Sequence, residues 1–499
     1  MSEDTRVLEA VKFPRYERRG FFLGLKWYQL LIIAGGASVA IVASARGGPT
    51  GLFFSGPMWL ALMLLGLLQY SRIPYPVWAK QVAVFFYRAA TGQTRFLAKP
   101  AAPQLAGRLA LPGGLGNLEI RTTAGGECFI VDRHGKEAIA LLRCSTRSFA
   151  LLDADDKGWA VQAWSRVQAG MAQRPGVARI AIQDYTVPYP SSALWDYYRD
   201  NAVRPEVGGG RPTWGQSTYE DLLGAAGSTM SHELLVAVVL DTSKARRRIR
   251  ESGGALRGLE RVLRLEVEAI QTSLGTHSVK VEEWVGEAGL LGIIRGAFDP
   301  AALPSAKVPV AAAPPSDESA GREVSSFDRH RPMAVEEHWT YLRTDTGFHQ
   351  TFWIAEWPRQ KVFPGFLHPL IYVGEFRHTF TEVIRAVPTA EALRDIRSAQ
   401  EAHETRRRIN ARFDRPLTRE QKAEEEEVIQ REEEIVAGHG DVRPAAYMTV
   451  TATSFEDLAR YRQELESAAA GAFVELRLLY GQQWAAFVAG GLPLGRGLR

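Results

Sequence analysis

The chain has 499 residues, a net charge of +4, 23% charged residues and a mean hydropathy of −0.15. That length allows about three domains, and the hydropathy is that of a polypeptide folded mostly in water. The two cysteines, Cys128 and Cys144, agree with a reducing cytoplasmic location. They form no Cys-x-x-Cys pair, so a structural zinc site is not expected, and both read as small buried apolar residues.

Two apolar runs open the chain, at 25–45 and 52–70, separated by Arg46-Gly-Gly-Pro-Thr-Gly51. At about 1.5 Å per helical residue each matches a hydrocarbon core of about 30 Å. Backbone in lipid must satisfy its own hydrogen bonds, so two close apolar runs predict a helical hairpin. Lys12, Arg15, Arg18, Arg19 and Lys26 precede it, Arg72, Lys80, Arg88, Arg95 and Lys99 follow it, and the turn holds only Arg46. This asymmetry places both ends, and the soluble domains, in the cytoplasm beside the plasma or inner membrane. Trp27 and Tyr28 at one boundary, and Tyr70 and Trp78 at the other, are the candidate membrane-anchoring aromatics. A cleaved signal peptide fits badly, because the first run is long and a second follows. A buried hairpin of a soluble protein is the other reading. Residues 74–92 then predict an amphipathic helix, lying at the membrane surface or packed on the first soluble domain.

The remaining chain reads as cytoplasmic α+β. After the membrane segment (1–92), a module at 93–190 carries strands near 118–121, 127–132, 138–144 and 177–185, and a helix at 158–173. Residues 191–231 read as a linker region with a helix through 194–201. Two later stretches resemble each other: 232–298 and 441–499 each read strand, helix, strand, helix. Pairs of this kind predict ferredoxin-like β-α-β repeats. Between them lie an Ala/Pro/Ser linker (299–332), a β-hairpin region (333–388) with strands at 338–344 and 350–356, and a strongly charged insertion (389–440). Pro416, with Thr418 and Gln421 spaced as a capping box, predicts two antiparallel helices in that insertion. Such helices read as a solvated coiled-coil face or as a partner-binding prong.

Enzyme motifs are missing. Gly135-Lys136 is followed by Glu137, so no P-loop exists, and His232-Glu233 lacks the second histidine of a zinc protease helix. The ten histidines are scattered, and His349 reads as an ordinary strand residue. No catalytic residue, metal or cofactor is expected. Two basic clusters are candidates for contact with a partner or a phosphate: Arg246, Arg247, Arg248 and Arg250 in one, Arg406, Arg407 and Arg408 in the other. Each also reads as a solvated helix face.

The run from Trp339 to Pro358, with Tyr341-Leu-Arg343 and Glu356-Trp-Pro358, resembles the N-terminal domain of conjugative type IV secretion ATPases. The charged insertion and the strand at 447–452 follow in the order of that family. The ending, with Leu492-Pro-Leu-Gly-Arg-Gly497, resembles the seam that leads into its RecA-like motor. The apolar hairpin resembles the small PrgI-like inner-membrane component of the same machines, in a combination similar to membrane proteins of actinobacterial conjugation-type loci. The resemblance covers roughly residues 10–90 and 230–499. It implies an inner-membrane scaffold that docks a separate type IV secretion-type ATPase, together with other channel subunits, the lipid bilayer and sister copies. The nucleotide-binding lysine of the motor has no counterpart, so ATPase activity is not implied. A membrane-tethered DNA-binding protein is the alternative, using the Lys244–Arg250 helix.

Overall fold

Residues 234–240, Leu-Leu-Val-Ala-Val-Val-Leu, are apolar without alternation, the pattern of a strand covered on both faces. They lie at the centre of one half of a large sheet. The computed structural model describes residues 27–70, 73–98, 107–146, 152–172, 174, 176–189, 195, 198–199, 201, 214–225, 229–275, 279–301, 330–358, 360–412, 414, 416–437 and 441–498. The chain divides into two units, one of residues 14–94 and 480–482, the other of residues 1–13, 95–479 and 483–499.

The smaller unit contains helix α1 (Trp27–Leu67), the short strands β1 (Gln69–Tyr70) and β2 (Ile73–Pro74), and helix α2 (Tyr75–Ala90). The expected second apolar run ends in this ribbon, so its helix stops at Leu67.

The larger unit is α+β. In chain order its elements are β3 (Arg95–Leu97), β4 (Glu119–Thr122), β5 (Cys128–Asp132), β6 (Glu137–Thr146), α3 (Ala154–Ala172), β7 (Val177–Tyr189), α4 (Trp214–Ala225) and β8 (Thr229–Asp241). Then come α5 (Arg246–Glu251), α6 (Ala255–Gly275), β9 (Val279–Trp284), α7 (Glu287–Phe298), β10 (Ala334–Glu337), β11 (Leu342–Arg343), β12 (Phe348–Glu356), α8 (His368–Ile371) and β13 (His378–Val387). The last are α9 (Thr389–Arg412), α10 (Arg419–Val436), β14 (Asp441–Ala452), α11 (Phe455–Gly471), β15 (Glu475–Leu478) and α12 (Gln483–Gly490).

All thirteen strands of this unit form one antiparallel sheet, ordered β3-β10-β11-β12-β14-β13-β7-β8-β6-β5-β4, with β15 on β12 and β9 on β6. Leaving β3 aside, the order reads the same from either end, and its centre is the pairing of β7 with β13, from His378 opposite Thr186 to Ile384 opposite Ile180. In each half a parallel strand pair, β8 with β9 and β14 with β15, flanks an antiparallel strand and is joined by helices. The two β-α-β segments do not share one small sandwich, because β7 and β13 stand between β8 and β14.

Helices cover both faces. On one face α7 and α12 meet over the sheet, with Phe298 and Phe487 rings 5.5 Å apart, in a cluster that includes Leu141, Val239, Tyr447, Leu492 and Leu494. On the other face α3 and α6 cover the first half through Val167, Met171, Leu263, Val267 and Ile270. The first helix expected within 232–298 is two helices, because the chain breaks at Gly253 and Gly254, both in the left-handed region (φ 113° and 66°). Helix α4 lies in the stretch read as a linker, where Tyr219, Leu222 and Leu223 recur at helical spacing and Leu223 is buried. The helix expected at 194–201 falls mostly outside the described residues.

Candidate functional site

Helix α1 is built from small and aliphatic residues. Its single charged side chain, Arg46, stands two residues before the break. Gly48 sits at φ 56° and ψ −148°, a conformation open to glycine and closed to other residues. Pro49 follows, and the chain reverses there. Continuous helix would separate Gln29 from Gly66 by about 55 Å, yet the Gln29 side-chain amide donates to the Gly66 carbonyl at 2.9 Å. A Cβ on Gly66 would lie 2.6 Å from Ile33 Cγ1, and one on Gly36 would lie 3.1 Å from the Trp59 carbonyl oxygen. The arms thus touch where side chains are smallest, the packing that lets helices associate in an apolar solvent.

The outer surface of this hairpin is apolar. Among the described residues α1 is the one helix long and apolar enough to cross a membrane, and only 11% of its most apolar window is buried. Phe53 and Phe54, near the turn, are 80% and 83% exposed. At the other end Trp27 and Tyr28 pack edge to face at 6.2 Å, and Tyr70 packs against Trp78 of α2 at 5.4 Å. The four aromatics named from the sequence therefore form two pairs, one where α1 begins and one just after it ends. Helix α2 buries Phe85 and exposes Phe86 and Tyr87.

The charged insertion is an antiparallel helical pair, α9 and α10. Thr418 caps α10 through both bonds of a capping box: its hydroxyl accepts from the Gln421 amide at 3.2 Å, and its own amide donates to Gln421 Oε1 at 3.0 Å. Val387, Ala392, Ile396 and Ile435 form a small core at the base, and Arg431 donates to Asp441 there at 2.6 Å.

Towards the tip, the basic and acidic runs face each other. Arg406 pairs with Glu424 at 3.2 Å, Arg407 with Glu425 at 2.9 Å, and Arg408 with Glu404 of its own helix at 2.5 Å. The Arg407 guanidinium, by hydrogen bonding, holds the Glu425 carboxyl below the usual carboxylate range. The second cluster lies on α5. Arg247 pairs with Glu251 at 2.9 Å, Arg248 reaches the buried Glu266 of α6, and Arg246 and Arg250 are exposed. The two clusters sit on different helices, and no common site unites them among the described residues.

His349 is fully buried on β12, between Thr344 Oγ1 (2.8 Å) and Thr451 Oγ1 (2.9 Å). Burial, with the Arg377 charge adding to it, pushes its imidazole down to about 3. Beside it Gln483 of α12 accepts from the Thr351 amide at 3.0 Å, Thr351 and Thr449 hydroxyls meet at 3.0 Å, and Thr381 donates to the Gly490 carbonyl at 2.8 Å. Sequence reasoning did not find this buried polar layer; its signal is the recurrence of threonine at 344, 351, 381, 449 and 451. The two thiols are buried in separate clusters, and burial pushes each up to about 12.

Among the described residues no group of His, Cys, Asp and Glu is arranged to hold a metal ion. No family model matches the chain. No curated protein matches it significantly either.

Proposed function

We propose that the chain is an inner-membrane scaffold of a type IV secretion-like or conjugation-like machine, docking a separate ATPase on its cytoplasmic side. The observation that carries the membrane part is α1: apolar, reversed at Gly48, and buried only at Gln29, Gly36 and Gly66. Apolar area removed from water stabilises by roughly 25 cal/mol per Å², so a surface of this kind favours a bilayer. Each arm is about 30 Å long by helical rise, the thickness of a hydrocarbon core. The flanking lysines and arginines favour an orientation with both ends in the cytoplasm.

The docking part rests on the resemblance of residues 339–358 and 447–452 to secretion ATPase N-terminal domains. The prong of α9 and α10 extends an ordered charged surface on which a partner can choose register. We also assign each β-α-β half to the ferredoxin-like class, because a parallel strand pair flanks an antiparallel strand in both.

The test is capture of a P-loop ATPase from the adjacent reading frame by the full chain in lipid nanodiscs, with and without nucleotide. Retention of that ATPase supports docking, and no association in either state overturns it. Retention of a single-stranded oligonucleotide that falls steeply with salt would instead favour the DNA-binding alternative through Arg246 and Arg250.

A further inference from the structure

A half-open cavity lies between the first half of the sheet and the helices that cover it, with an empty volume of ≈ 600 Å³ including its mouth. Helices α3 and α6 form its roof and β7, β8, β9 and β13 its floor and wall. Its lining is apolar save for one group. Trp164 and Met171 come from α3, Ile182 from β7, Val236 from β8, and the single carboxyl is that of Glu382 on β13.

Glu382 stands opposite Ala446 on β14 and Ile182 on β7, so neither paired neighbour offers it a bond. Among the described residues its carboxyl has no hydrogen-bond or ion-pair partner. A carboxylate so placed is costly unless a cation joins it. Chains do not ordinarily keep an acid on a core strand without a counterpart, since an apolar residue of that size would fill the space.

We infer that this cavity binds a small organic amine, its ammonium paired with Glu382 and its apolar body packed against the aliphatic wall and Trp164. Three features select an ammonium over a neutral ligand. The carboxylate supplies a charge-assisted acceptor, about twice as strong as a neutral one. Trp164 supplies an aromatic ring, on which cations are favoured. The other lining residues supply no donor or second acceptor to orient a polar neutral molecule. The space that a bound molecule can fill, ≈ 170 Å³, lies below the about 300–1,000 Å³ of drug-sized sites and so selects a small amine.

The experiment is calorimetric titration of the full chain in lipid nanodiscs with cyclohexylmethylamine, against cyclohexylmethanol as the neutral isostere and empty nanodiscs as the blank. The expected result is one amine site per chain, with the alcohol and the E382Q variant each binding about tenfold more weakly or worse. A second variant, V279F, fills part of the cavity and leaves the carboxyl in place; it too should weaken the amine. Far-ultraviolet and near-ultraviolet dichroism establish that both variants fold. Equal binding of amine and alcohol overturns the inference. So does unchanged amine affinity in folded E382Q, or tighter binding of the alcohol.

Discussion

Replacing Glu382 by glutamine should stabilise the soluble unit in alkaline solution and leave it unchanged in acid. Burial alone raises this carboxyl from its ordinary 4.5 to about 7. Its side chain is half-buried at a cavity whose other lining side chains are apolar. Below pH 4.5 the folded and unfolded states both hold the proton, and the group contributes nothing. Between 4.5 and about 7 only the folded state holds it, so stability falls as pH rises through that window. Each pH unit costs about 1.4 kcal/mol, about 3 kcal/mol over the window, with water in the cavity reducing this towards about 2. Above pH 7 the loss is complete and constant. Glutamine keeps the shape without the charge and should recover that amount at pH 8. The assay is urea unfolding of both proteins in nanodiscs at pH 4.5, 6, 7 and 8, read by near-ultraviolet dichroism. Taking the difference between them cancels every other titrating group. A difference that does not grow with pH, or a variant less stable at pH 8, would refute the reasoning.

His349 acts in the opposite direction: its folded value near 3 lies below its ordinary 6.5, so stability is lost as pH falls through that window. The H349Q variant should lack that dependence, about 1.4 kcal/mol per pH unit, in urea unfolding between pH 4 and 6. Both thiols, pushed up to about 12 by burial, should resist a disulfide reagent at pH 8 in the native chain and react together on unfolding. Gly66→Val would force a side chain against Ile33 and should loosen the hairpin by about 1–3 kcal/mol, seen as faster amide exchange in α1 while the larger unit is unaffected. Thr418→Ala removes the cap of α10 and should cost about 1 kcal/mol, measured as faster exchange confined to the prong.

Local signals were legible where physics acts over a few residues. Gly48 and Pro49 end one apolar arm and begin the next, and their effect is readable without any partner. Thr418 and Gln421 announce α10 by a spacing that the backbone itself requires. The strand–helix–strand–helix pattern at 232–298 and 441–499 is likewise present, because alternation and helical stripes are local. Strand order was not legible. Nothing near residues 180–186 or 378–384 says that these strands pair with each other, a contact across about 200 residues of chain. Strand β12 shows why alternation misleads: Thr351 and Phe352 point to opposite faces and both are buried, because helices cover both sides. The partners of Arg406 and Arg407 also depended on the crossing of α9 with α10, which fixes Arg406 opposite Glu424 and Arg407 opposite Glu425.

The symmetry of the sheet suggests two similar halves, but their contacts make them one folding unit. The second half lends its ending to the first: after α12 the chain crosses onto the strands of the first half. Gly495 lies there with its α-carbon so close to Val239 that an added Cβ would stand 2.7 Å from the valine methyl. Arg179 of β7 donates to the Gly495 carbonyl, and Arg496 pairs with Asp132 at the end of β5. The first half lends β3 in return, which pairs Leu97 with Ala334 on the far edge of the second. Each exchange fills a place that the receiving half cannot fill from its own sequence. The long stretch between α7 and β10 therefore need not fix the arrangement. Loop closure costs only about 0.6 kcal/mol more for each doubling of length, while the central strand pairing and the two exchanged segments set where the halves meet. A sheet of this construction couples the prong to both halves, since β13 and β14 carry α9 and α10 directly and are hydrogen-bonded to both halves through β7 and β12.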